Sequence, residues 1–152
     1  MKKLFNPFVY VPGIRALLVG LIAMICTAVL AYLDHIHFDG AIDVHFSYNV
    51  AHKPFTLYLA EPLINWLCVS LLFYITGVIL SRSSIRIIDV MGTLALSRWP
   101  LLFVTLLGFI PAKPFNDISN IDAMFILQAL LSLPFCVWMI ALMYNAFAVS
   151  CN

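Results

Sequence analysis

The sequence predicts an all-α, polytopic membrane protein: a transmembrane helical bundle of four spans with one interfacial amphipathic helix. Three observations carry this. Hydrophobic residues make up 64% of the 152 residues, and charged residues only 10%. Soluble domains are near one half apolar and one quarter charged, and a chain this short cannot bury so much apolar surface within itself. The apolar residues fall into long runs without charge. The basic residues gather on one side of those runs. A net charge of +1 supplies no field for phosphates, so nucleic acid is excluded as a partner.

The first run, residues 16–33, has 18 residues and no charge, enough for roughly 27 Å of helix and one bilayer crossing. A signal peptide is the weaker reading, because the run exceeds the usual apolar core and further runs follow. Ala16, Gly20, Ala23, Thr27 and Ala31 give it a small-residue face for close helix packing. The second run, 62–80, opens on Pro62, which suits a first helical turn. Ser70 and Gly77 offer it a similar packing face. The fourth run, 123–149, carries Pro134 near its middle, where a kink is expected. Gln128 and Ser132 on that run, like Asn65 and Asn145, can bond a neighbouring helix.

The third region is less regular. Residues 99–112 are apolar but short for a span, so the third span is placed at about 96–112. Ahead of it, Arg82, Arg86, Asp89, Thr93 and Ser97 fall within about 80° on a helical wheel. This narrow polar stripe predicts an interfacial helix over 84–98, capped by Ser83 or Ser84. The stripe is expected to face water or headgroups, with a functional stripe along a buried ion or substrate path as the alternative, whereas Ile88, Met91 and Ala95 face lipid or protein. Arg86 and Asp89, three apart, can pair. Arg98 and Trp99 are expected as interface anchors, Arg98 snorkelling to phosphates.

With the N-terminus in the cytoplasm, Lys2, Lys3, Arg15, Arg82, Arg86 and Arg98 lie inside, six of the eight basic residues. The positive-inside rule then sets a multi-pass topology in the cell membrane, the inner membrane in a bacterium. All four histidines, His35, His37, His45 and His52, lie in the first outer loop with Asp34, Asp39 and Asp43. The weak metal candidates are His35 and His37, which an alternating strand would place on one face. A solvated loop is the favoured reading. Cys26, Cys68, Cys136 and Cys151 read as small buried hydrophobes rather than a disulfide framework. No nucleophile elbow, metalloprotease, phosphate-loop or dinucleotide signature occurs. The expectation is a non-enzymatic protein without cofactor, partnered by the lipid bilayer, by further copies of itself or by other membrane proteins. A small transporter or permease component is the alternative.

Three stretches resemble a known family. They are Asn6-Pro7-Phe8 with Tyr10 and Pro12-Gly13; Ser83-Ser84-x-Arg86-Ile87-Ile88-Asp89 running through Met91-Gly92-Thr93-x-Ala95-Leu96-x-Arg98-x-Pro100; and Met143-Tyr144-Asn145-Ala146 with Val149-Ser150-Cys151-Asn152. Together, over nearly the whole chain, 1–152 as a single transmembrane domain, they look like bacterial membrane proteins of the Yip-domain (Ypt-interacting protein) family. The resemblance implies a five-span bundle with a cytoplasmic N-terminus and a role in membrane organisation or interaction. In eukaryotic members it implies Rab GTPase partners. Only about 15 residues precede the first span here, and four spans end at Asn152, so the last transmembrane helix of the pattern is expected to be missing. Rab binding is not carried over, and no family site residues are transferred.

Overall fold

The computed structural model describes residues 2–11, 13–42, 44–46, 53–81, 84–111 and 122–151. The chain is an all-α bundle. Helix α1 (Lys2–Phe5) and a 3-10 turn (Pro7–Val9) lead into α2 (Gly13–Asp34). Two short strands, β1 (Ile36–His37) and β2 (His45–Phe46), form an antiparallel pair with His37 opposite His45. Then come α3 (Phe55–Leu80), α4 (Ile87–Ser97), α5 (Leu101–Gly108) and α6 (Ala123–Cys151). Four segments are long and apolar enough to cross a membrane: α2, α3, the continuous run Ile87–Gly108 made of α4 and α5, and α6. The protein is therefore a multi-pass membrane protein.

Contacts between helices establish the up-and-down order. Gly92 abuts the Gly13 carbonyl, and the Ser81 hydroxyl donates to the Cys151 carbonyl oxygen at 2.8 Å. The starts of α2 and α4 and the ends of α3 and α6 therefore share one end of the bundle. At the other end Asp34 lies against Gly108, and Gln128 donates to the carbonyl oxygens of Leu107 (2.9 Å) and Ile110 (2.8 Å). The small-residue face of α2 does pack: Ala16, Gly20, Thr27 and Ala31 are buried, and a side chain on Gly20 would run into the backbone of Ala95 and Leu96. Close approach of this kind drives helix association where lipid supplies no hydrophobic contrast.

The third span corrects the sequence reading. No interfacial helix lies over 84–98, and the span does not begin near 96. It starts at Ile87, and 61% of its apolar window is buried, the largest share of the four. Thr93 (3% exposed) and Ser97 (0%) sit inside the bundle rather than facing headgroups. The reason is local chemistry. Thr93 donates to the Asp89 carbonyl oxygen at 2.7 Å, Ser97 to that of Leu94 at 2.8 Å, and Thr105 to that of Leu102 at 2.8 Å. A hydroxyl closed onto its own helix no longer needs water. The first turn of α4 is partly exposed, and there Arg86 pairs with Asp89 at 3.3 Å as expected. Arg86 occupies the N-cap position, so Ser84 does not cap the helix. Arg82 and Ser83 lie outside the described residues.

Smaller differences follow. Helix α3 begins seven residues before Pro62, which therefore lies in the helix interior. Helix α6 continues through Pro134, with Ser132 donating to the Ala129 carbonyl oxygen at 2.7 Å. All four cysteines are free, but Cys26 and Cys68 face outward rather than into the core.

Candidate functional site

Two places concentrate chemistry that packing alone does not use. One is at the end of the bundle where α2 ends and α3 begins. Helix α2 stops at Asp34, and His35 takes a left-handed backbone conformation (φ 57°) that turns the chain into β1. This turn corrects the expected strand: β1 covers only Ile36–His37, so His35 and His37 do not share a strand face. His37 is not solvated either. Its side chain is 4% exposed and stacks on Tyr58, with ring centroids 4.5 Å apart. Its Nδ1 lies 2.8 Å from Glu61 Oε1. The other oxygen, Oε2, accepts from the Phe38 backbone N–H at 3.0 Å.

Asn65, one helical turn beyond Glu61, donates to the carbonyl oxygens of Phe38 (2.6 Å) and Gly40 (3.1 Å). It thereby clamps the backbone on both sides of Asp39. The antiparallel register brings His45 across from His37, and His45 Nδ1 lies 2.6 Å from Asp39 Oδ2. One nitrogen of His37 and one carboxylate oxygen from each of Asp39 and Glu61 lie within 4.8 Å of one another. The aromatic rings of Tyr32, Phe55 and Tyr58, in edge contacts at 5.4–5.6 Å, stand beside this cluster. Asp43 and His52 are outside the described residues.

The second place is the break between α4 and α5. Arg98 and Trp99 fall midway along Ile87–Gly108, not at an end of it. This corrects their expected role as interface anchors. The early start at Ile87 moves Arg98 inward by about nine residues, roughly 13 Å of helix. Arg98 is 2% exposed, and its Nε, Nη1 and Nη2 are buried with no hydrogen-bond partner among the described residues. Trp99 stacks edge-on against Trp138 at 4.5 Å and Phe103 at 5.4 Å. Of the sequence stripe, Arg86 and Asp89 come together at one end, Thr93 and Ser97 are spent inside, and Arg98 stands apart.

Glu61 was the residue that the sequence concealed. A span beginning at residue 62 leaves it outside the helix; with α3 starting at Phe55, it projects from a helix into the histidine loop. The chain matches no protein-family model, no curated protein and no solved structure.

Proposed function

We propose that this protein is a non-enzymatic membrane component that organises or binds other constituents of the bilayer, the role implied by the resemblance to Yip-domain proteins. The supporting observation is the division between its inner and outer surfaces. Inward-facing polar groups are largely consumed within the chain: Thr93 and Ser150 approach at 3.2 Å, Trp66 donates to the Met91 carbonyl oxygen at 3.0 Å, and Gln128 holds the end of α5. The outer faces of α3 and α6 remain open and apolar, with only 17% and 22% of their apolar windows buried. Leu71, Leu72 and Ile75 on α3 and Leu130, Leu133 and Val137 on α6 are exposed. Such faces meet lipid, another copy of the chain or helices of other membrane proteins. Clustering of the basic residues supports a cytoplasmic N-terminus in a cell membrane.

Crosslinking in intact membranes tests this reading. A benzophenone amino acid at Leu72 is expected to give a discrete protein adduct, whereas one at buried Leu94 is expected to give none. A small transporter is the second reading, favoured by Arg98 at mid-span, which has no hydrogen-bond partner among the described residues. Anion flux in proteoliposomes that disappears in Arg98→Gln, with no adduct from Leu72, would replace the first reading with the second.

A further inference from the structure

We infer that His37, Asp39 and Glu61, with His45 as a fourth donor, form a binding site for one divalent transition cation, with zinc fitting best. The inference stands on the geometry of the α2–α3 connection and is independent of the proposed function.

The donor set is the first reason. Imidazole and carboxylate together suit zinc and its first-row neighbours, whereas magnesium and calcium favour oxygen alone. Donors around one tetrahedral zinc ion stand about 3.4 Å apart, given bonds of roughly 2.0–2.1 Å. Those of His37, Asp39 and Glu61 already lie within 4.8 Å of one another, so closure needs shifts of about 1 Å. Two carboxylates also balance a doubly charged ion. This matters beside a bilayer, where the Glu61 side chain is only 13% exposed.

The state of His37 is the second reason. Glu61 holds its Nδ1, while its Nε2 is buried with no hydrogen-bond partner among the described residues. A buried histidine with a ring nitrogen left over is chemistry that a bound cation would satisfy. The third reason is preorganisation. Asn65 clamps the carbonyl oxygens on either side of Asp39, Tyr58 stacks on the His37 ring, and the strand pair sets His45 beside Asp39. These contacts fix the donors before any ion arrives. An entry path exists from the outer rim, because the side chains of Asp39 and His45 are 48% and 60% exposed. A bound ion would tie the loop after α2 to the first turns of α3.

The full chain, freed of any affinity tag, stripped with chelator and held in nanodiscs, is titrated with zinc chloride alone. Expected are one zinc per chain by calorimetry and elemental analysis, and a raised Tm. Asp39→Asn and His45→Ala change exposed side chains, so the metal-free protein should keep its Tm while zinc affinity falls about 10- to 100-fold. A variant with all four cysteines replaced by Ala should bind zinc as the parent does. The inference is overturned by less than half a zinc per chain, by zinc affinity that is the same in Asp39→Asn and His45→Ala as in the parent, or by loss of binding in the cysteine-free variant. Any of these results would leave His37 and Glu61 as a metal-free pin between loop and helix.

Discussion

Helix α3 and the third span invert what a soluble protein would do. The apolar helix α3 stands outside, with 17% of its window buried, and the more polar span Ile87–Gly108 is at the centre with 61% buried. In water the opposite placement lowers the free energy. In a bilayer, hydrocarbon is the solvent, so Leu67, Leu71, Leu72 and Ile75 are at home on the outer face. Thr93, Ser97 and Thr105 go inward, where each hydroxyl already has a carbonyl on its own helix. Glycine then decides which helices touch most closely: Gly13, Gly20 and Gly92 bring α2 and α4 to backbone contact. Polarity marks the interior here.

Substitutions can break or sharpen this contrast. The largest effect is expected from Gly92→Leu, since any side chain there meets the Gly13 carbonyl and the Leu17 backbone nitrogen. Destabilisation above about 3 kcal/mol and little folded protein in detergent are expected, whereas Leu72→Ile on the outer face of α3 should behave as the parent. Thr93→Lys comes next. It places an unpaired cation in the bundle interior, at a cost of about 3–5 kcal/mol measured as unfolding free energy in mixed micelles. Were the polar stripe at headgroup level, that substitution would be nearly free. Arg98→Met removes a buried guanidinium that has no hydrogen-bond partner among the described residues, so Tm should stay level or rise, with a gain of up to about 2 kcal/mol. A clear fall in Tm would mean that a bound group holds the guanidinium. The smallest effect belongs to Thr93→Val. It deletes the contact with Ser150 but keeps the shape, and a change of about 0.6 kcal/mol is expected, typical of interhelical hydrogen bonds in bilayers.

Much of the bundle was legible because long runs without charge have few other fates. Residues 16–33, 62–80 and 123–149 all lie inside observed helices. The third span is hard to read because Thr93 and Ser97 look water-facing in sequence, although Ser and Thr carry their own hydrogen-bond partner one turn back. The same ambiguity displaces Arg98 and Trp99, whose positions follow from where the span begins. The candidate metal site was half legible. His37 stood out, but its pairing with Glu61 spans 24 residues and depends on α3 starting at Phe55. His35 was misplaced because the positive φ that breaks the strand pattern leaves little trace in a His.

Reactivity of single cysteines along the third span tests most directly whether the polar stripe is interior. In a background with Cys26, Cys68, Cys136 and Cys151 replaced, Ser84→Cys, Thr93→Cys and Ser97→Cys are treated with a membrane-impermeant maleimide, applied to either side of intact membranes. Ser84→Cys, at an exposed position ahead of α4, should label from one side only. Thr93→Cys and Ser97→Cys should stay unlabelled from both sides and react only after denaturation. Labelling of all three from the same side, at similar rates, would put the stripe at the membrane surface and contradict a third span beginning at Ile87.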